Sequence, residues 1–138
     1  MDINEIILTD EALNVIDNGT WIDDIEGAPG LELLVVGLTS KDARKSIEQK
    51  QAAARLKNRG KALTAEQLAE AMRQTLSEVV IKGWKGLTEG GKPVEFTPEL
   101  AKSWINSRKG EKFAGMVLQA AQRVDDQAND FVKEVSKN

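Results

Sequence analysis

The side chains of this sequence that could carry out acid–base or metal chemistry are limited to carboxylates, lysines and hydroxyls. The chain has 22 Asp and Glu residues but no histidine, cysteine or tyrosine. The usual general base, the thiol nucleophile and the commonest zinc ligands are therefore missing. A carboxylate-only active site needs acids that converge in an apolar pocket. The acids here fall on polar faces of predicted helices or in the N-terminal third, so we expect no enzyme, no metal site and no cofactor.

Residues 83–92 (GWKGLTEGGK) are rich in glycine, as phosphate-binding loops are. Such a loop needs the spacing G-x-x-x-x-G-K-[ST] between a strand and a helix. This segment lacks both the spacing and the final hydroxyl. We predict instead a connector between helices at residues 82–96, in which Gly90 and Gly91 turn the chain and Trp84 folds onto the core.

Charge is distributed unevenly along the chain. Residues 1–32 contain nine acids and no base, whereas residues 33–61 contain eight bases and two acids, so their net charges are −9 and +6. The two blocks attract one another within one subunit, which we favour. The alternatives are attraction across subunits of a homo-oligomer, or a basic surface that binds an acidic partner. A nucleic-acid partner is disfavoured, because the basic run has no interleaved aromatic residues for base stacking and the whole chain is net acidic.

The composition is that of one soluble, globular domain over residues 1–138, with 41% hydrophobic and 30% charged residues. No apolar run is long enough to cross a bilayer, so we expect no membrane partner. The N-terminus has no secretory pattern and the chain has no cysteine. We therefore expect a cytoplasmic protein.

A short helix is predicted near the N-terminus. Thr9 is a suitable N-cap, and the pair Asn18 and Gly19 is a suitable helix end. The alternative is a two-residue hairpin turn at the same Asn-Gly pair, which would join residues 15–17 to residues 20–22.

The acidic region 1–38 is also predicted to contain an antiparallel β-hairpin. Residues 20–25 and 31–38 are rich in β-forming residues and flank a Gly- and Pro-containing loop. The second strand is apolar on both faces. We therefore expect it to be covered on both sides, by helices or by another subunit.

The region 39–138 is predicted to be helical apart from the connector. Capping residues and apolar spacing of three or four residues indicate helices at residues 40–58, from Thr64 to about residue 79, at 97–104 and at 111–135. The predicted fold class is therefore α+β, a mostly helical single domain with an N-terminal antiparallel β-hairpin and a long C-terminal helix.

Residues 84–100 contain Trp-Lys-Gly, then a Gly-Gly-Lys-Pro turn, then V-E-F-T-P-E-L at a helix start. This order resembles a segment of the tail assembly chaperones of long-tailed phages. Trp21, the L-x-V-x-G-L strand at residues 33–38 and the basic helix at residues 41–59 stand in a similar order. The resemblance in layout therefore spans most of the chain.

The resemblance implies a non-enzymatic protein that coats the tape-measure protein during tail assembly, self-assembles and is absent from the finished virion. Some members are extended by a translational frameshift and then recruit the tail tube protein. The Ser-Lys-Asn sequence at residues 136–138 is compatible with a slippery heptamer, and such a longer form is therefore a hypothesis that the codons of the gene would test. The alternatives are another phage structural or head–tail connector protein and, less favoured, a small regulatory nucleic-acid-binding protein.

Two sets of residues are predicted to make these contacts, although a place in the core is the alternative for every apolar one. Apolar anchors suit a helix-in-groove contact with the tape-measure protein, and the residues predicted for it are Leu68, Met72, Leu76, Trp84, Phe113 and Val117. Strand residues and the charged blocks are predicted for self-association, namely Leu34, Val36, Leu38, Lys41, Arg44, Lys45, Asp23 and Asp24.

Overall fold

A computed structural model describes residues 1–136, apart from the side chains of Asn4 and of residues 131–136. Lys137 and Asn138, on which the frameshift expectation rests, lie outside the described residues. The helices are α1 (Asp10–Asn18), α2 (Lys41–Lys57), α3 (Ala65–Thr75), α4 (Pro98–Ile105) and α5 (Glu111–Ser136). The strands are β1 (Thr20–Ile22), β2 (Glu32–Val35), β3 (Ile81–Lys85), β4 (Thr88–Glu89) and β5 (Lys92–Pro93). Short 3₁₀ turns are found at Ile3–Glu5 and Arg108–Gly110, and a π-helical turn at Leu76–Val80.

The predicted α+β class, with mostly helical elements and a long C-terminal helix, is confirmed. The predicted hairpin is β1 and β2, which pair antiparallel with Trp21 opposite Leu34. The hairpin is extended to a three-stranded sheet because β3 pairs antiparallel with the other side of β2. Helix α5 packs against β1, β2, α1 and α4, and so lies at the centre of the fold.

Four helices start at a capping side chain that directly precedes the first helical residue. The hydroxyls of Thr9, Ser40 and Thr97 each accept a hydrogen bond from a backbone N–H of the first turn. Thr64 and Gln67 form the predicted capping box. The alternative hairpin turn at Asn18 is wrong, since α1 continues to that residue and Gly19 ends it with φ 95°.

Strand β3 corrects the prediction of a simple connector at residues 82–96. The glycines predict an irregular segment between helices, but Gly83 lies within a strand, opposite Leu34. This pairing joins segments about fifty residues apart in sequence, and no local pattern specifies it. The rest of the connector is as predicted, because Gly90 and Gly91 have φ values of 56° and 80° and turn the chain between β4 and β5.

The core forms where one face of α5 meets the inner face of the sheet. Val117, Ala121 and Val124 of α5 are completely buried, as are Leu33 and Val35 of β2. A smaller cluster of Ala12, Ile16 and Ala128 attaches α1 to the same helix. The long helix thus holds the sheet, the N-terminal segment and α4 together.

Candidate partner-binding surface

The segment that carries the predicted anchor Trp84 folds into a cluster of four aromatic rings. The Trp84 ring is stacked on that of Trp104, with centroids 5.1 Å apart and an interplanar angle of 11°. Phe96 and Phe113 meet Trp84 edge-on at 4.9 and 5.8 Å. These edge-to-face and stacked arrangements are the favourable ones for aromatic pairs. The chain has six aromatic residues, three Trp and three Phe, so this cluster gathers most of them.

A hydrogen bond to the backbone, a helix cap and a tight glycine turn position the rings of this aromatic cluster. The indole Nε1 of Trp84 donates a hydrogen bond to the carbonyl oxygen of Val94 at 2.7 Å, which ties β3 to the segment after the Gly-Gly turn. That segment carries Phe96 and then Thr97, the N-cap of α4, whose last turn carries Trp104. A Cβ at Gly110 would overlap the carbonyl of Trp104, so glycine permits the close turn that starts α5 and delivers Phe113.

The rings differ in their exposure to solvent. Trp84 is 6% exposed and belongs to the hydrophobic core. Phe96, Trp104 and Phe113 are each half-buried and pack around it. The cluster therefore presents a partly exposed aromatic rim on a base that is fixed by packing and by a partly buried hydrogen bond.

A second apolar feature runs along α3 from the surface to the core. Leu68, near the start of the helix, is 45% exposed. Met72 is half-buried against the core, and Leu76, at the first residue of the π-helical turn, is buried. The predicted stripe is therefore accessible only at its N-terminal end.

The residues predicted for tape-measure binding thus divide into two groups. The structure brings Trp84 and Phe113 together, but Trp84, Leu76 and Val117 are core residues and offer no surface to a partner in this fold. The reason is that their helix and strand faces are the ones that pack against α5 or the sheet. Leu68 is accessible, and Met72 and Phe113 are accessible in part.

The strand residues predicted for self-association are also largely covered within one subunit. Val36 is buried, and its backbone N–H bonds to the carbonyl of Val80. Leu34 and Leu38 are half-buried. On the outer face of the sheet, the Trp21 ring lies over Gly83 beside Leu34. The expectation that helices or another subunit cover both strand faces is therefore met on the inner face, by α5, whereas the outer face carries the Trp21 ring of the neighbouring strand.

The charged residues of the self-association set are exposed. Lys41, Arg44 and Lys45 lie on the solvent side of α2. The side chains of Asp23 and Asp24 are in solvent, while their carbonyl groups accept hydrogen bonds from Arg123 Nη1 at 2.6 and 3.4 Å. These residues are therefore free to meet another molecule.

The ion pairs of the described residues do not join the two charged blocks. They are Lys50–Glu78 at 2.6 Å, Arg73–Glu66 at 3.1 Å and Lys102–Glu78 at 3.7 Å. None links residues 1–32 to residues 33–61. The favoured interpretation, in which the two blocks attract within one subunit, thus has no direct ion pair among the described residues.

Comparison with known families gives a match to a family model described as "YdaY prophage protein", over residues 38–138. The chain belongs to this family. Its phage origin, which the sequence resemblance implied, is thereby supported. No curated protein and no solved structure matches the chain. All four rings of the aromatic cluster fall within the matched range.

Two ring residues and one carboxylate of this prophage protein were not predicted as site residues. Phe96 and Trp104 could have been found from the spacing of aromatic residues around Thr97. Asp125 of α5 had no such signal, yet its carboxylate accepts hydrogen bonds from the backbone N–H of Leu38 at 3.0 Å and from the Thr39 hydroxyl at 2.7 Å. It connects the end of the sheet region to the central helix.

The described residues contain no group of three or more His, Cys, Asp or Glu that could hold a metal ion. Within the same part of the chain, no helix is long and apolar enough to cross a membrane.

Proposed function

We propose that this prophage protein is a non-enzymatic tail assembly chaperone that binds the tape-measure protein of its phage in the host cytoplasm. The observation that carries the proposal is the aromatic cluster. The segment that resembles the chaperones, residues 84–100, supplies two of its four rings, Trp84 and Phe96, and is held together by the hydrogen bond from Trp84 Nε1 to the carbonyl of Val94. The membership in a prophage family supports a role in the phage, and the resemblance supports the tail.

The aromatic rim is suited to binding a helical partner. Large, partly exposed rings on a rigid base are typical binding anchors, because they bury much apolar area and lose little conformational entropy. Phe96, Trp104 and Phe113 are such rings, and Trp84 fixes their positions. A tape-measure segment that places aliphatic residues at i, i+3 and i+7 on one helix face would lay them against this rim. Leu68 and Met72 offer a second apolar contact on α3.

The test is co-expression with the tape-measure protein encoded by the same prophage. We expect the wild type to keep the tape-measure protein soluble and to co-elute with it in size exclusion. Trp104→Gln should weaken this complex by roughly tenfold or more, as for a hot-spot aromatic. Leu68→Gln should weaken it to a smaller degree. Val15→Gln alters an exposed residue of α1 that lies in neither surface, and should leave the complex unchanged.

Two results would contradict the proposal. One is a tape-measure protein that is equally insoluble with and without this protein. The other is a Trp104→Gln variant that melts like the wild type and still binds as tightly. The runner-up function, a structural or head–tail connector protein, predicts that the protein is found in purified virions, whereas a chaperone is absent from them. Recruitment of the tail tube protein through a frameshifted longer form remains part of the proposal.

A further inference from the structure

The N-terminal segment carries exposed aliphatic side chains among acids. Ile3, Ile6 and Ile7 are each more than half exposed, and Leu13 of α1 also faces solvent. Residues 1–13 contain four acids and no base. We call this surface the acidic patch. Its position is fixed, because the 3₁₀ turn Ile3–Glu5 and α1 both pack against α5.

The connection between α2 and α3 carries an exposed aliphatic side chain among bases. Leu56 is 82% exposed, the highest exposure of any large apolar side chain inside a helix of the described residues. Residues 49–65 contain five bases and no acid. Four of these bases are exposed and form no ion pair within the described part of the chain, namely Arg55, Lys57, Arg59 and Lys61. We call this surface the basic tip.

The basic tip is a rigid structure. The side chains of Asn58 and Gln67 exchange two hydrogen bonds, at 2.7 and 2.9 Å, and so join the end of α2 to the start of α3. Gln67 also completes the capping box with Thr64. Arg59 and Gly60 take the left-handed conformation that closes the turn, with φ values of 54° and 80°. The exposed Leu56 therefore lies on a part of the fold that is ordered by side-chain hydrogen bonds and a capping box.

The two surfaces belong to different parts of the fold. Helix α2 starts beside α1, where the N–H of Lys41 bonds to Asp17 Oδ1 at 3.1 Å, and its 17 residues span about 25 Å at 1.5 Å per residue. The helix packs against α3 and the π-helical turn, whereas the 3₁₀ turn Ile3–Glu5 and α1 pack against α5. The screening length in physiological salt is about 8 Å. Attraction between the two surfaces of one subunit is therefore largely screened.

We infer that the acidic patch of one subunit docks on the basic tip of a second copy of this chain. Each surface combines exposed aliphatic side chains with a net charge of one sign, and the signs are opposite. Such a contact joins two different surfaces, so it is heterologous and leads to a closed ring or an open chain. In this inference the apolar part of the self-association surface is formed by the exposed aliphatic residues of the patch and the tip, and not by the strand residues Leu34, Val36 and Leu38 that the sequence predicted. It does not rest on tape-measure binding, which uses the aromatic cluster.

A mixing experiment on the full chain tests this inference. The patch variant carries Ile3→Ser and Ile6→Ser, and the tip variant carries Leu56→Ser and Lys57→Ser. All four positions are exposed, so we expect the melting temperatures to stay unchanged. Val15→Ser is the matched control, since Val15 is an exposed aliphatic residue outside both surfaces.

Sedimentation velocity should show oligomers for the wild type and for Val15→Ser, and these should dissociate as the salt concentration rises from about 50 to about 500 mM. Each variant alone should be a monomer. An equimolar mixture should form a dimer and nothing larger, because only one intact patch and one intact tip remain to each pair.

Four results would overturn the inference. They are a monomeric wild type, association that does not respond to salt, a mixture that stays monomeric, and a tip variant that still self-associates. The last result would indicate that like surfaces pair. A wild type that assembles as expected but fails to bind the tape-measure protein would reject the proposed function and leave this inference standing.

Discussion

The substitution Trp84→Ala removes the ring around which the aromatic cluster is built. Trp84 is 6% exposed and contacts three other rings at centroid distances between 4.9 and 5.8 Å. Its indole N–H is bonded to the carbonyl of Val94 at 2.7 Å. The change therefore removes apolar burial, ring contacts and one hydrogen bond in a single step.

The expected loss of unfolding free energy follows from these contacts. A tryptophan side chain buries about 200 Å², which at about 25 cal/mol per Å² corresponds to about 5 kcal/mol. Part of this is recovered by relaxation and by the alanine Cβ, and measured losses for such truncations are about 3–5 kcal/mol. We therefore expect a loss of about 4 kcal/mol for Trp84→Ala. At about 2–4 °C per kcal/mol, the melting temperature should fall by roughly 8–16 °C.

Denaturant unfolding followed by far-ultraviolet circular dichroism measures this loss without depending on tryptophan fluorescence. Trp84→Phe keeps a ring but removes the N–H, and should cost about 1–3 kcal/mol because the Val94 carbonyl loses its partner. Trp21→Ala is the matched control. Trp21 is 39% exposed and has Lys85 Nζ 4.0 Å from its ring centroid. Such an exposed cation–π contact contributes about 0.5–1 kcal/mol.

The result that would refute this reasoning is an equal loss for Trp84→Ala and Trp21→Ala. A loss below about 1 kcal/mol for Trp84→Ala would likewise mean that the ring is not part of the core. In either case the aromatic rim would lack its rigid base, and the proposed binding surface would lose its main structural support.

Two further predictions concern the backbone and the central helix. Gly86 has φ 86° and no room for a Cβ beside the carbonyl of Gly30, so Gly86→Ala should lower the stability of the fold. Gly115 lies exposed in α5 with open space around it, so Gly115→Ala should stabilise the fold by about 0.5–1 kcal/mol. Melting temperatures that move in the same direction for the two variants would contradict this pair of predictions. Asp125→Ala removes the carboxylate that accepts the Leu38 N–H, and should cost about 1.5–3 kcal/mol in denaturant unfolding; a wild-type midpoint would show that water replaces the carboxylate.

The sequence by itself determined the elements whose signals are local. Thr9, Thr64 and Thr97 mark helix starts because each hydroxyl bonds to a backbone N–H three residues later. Gly90 and Gly91 mark a turn because they adopt positive φ values without steric cost. The hairpin predicted at residues 20–25 and 31–38 is present as the shorter strands Thr20–Ile22 and Glu32–Val35, because its β-forming residues flank a segment of turn residues.

Tertiary structure decided which apolar residues are buried. Leu68 and Leu76 belong to one predicted stripe, yet the first is 45% exposed and the second is buried. Helical spacing places residues on a common face but does not say how far along the helix a neighbour extends. The partner-binding prediction therefore included residues that the core occupies.

Tertiary structure also decided the contacts between distant segments. Strand β3 pairs with β2, Asp125 bonds to Leu38, and the rings of Trp84 and Trp104 stack. The acidic patch and the basic tip likewise belong to different parts of the fold, although the charge blocks adjoin in sequence, because the N-terminal segment packs against α5 and α2 packs against α3. Periodicity and capping act over a few residues, whereas pairing and packing depend on where the whole chain places each element.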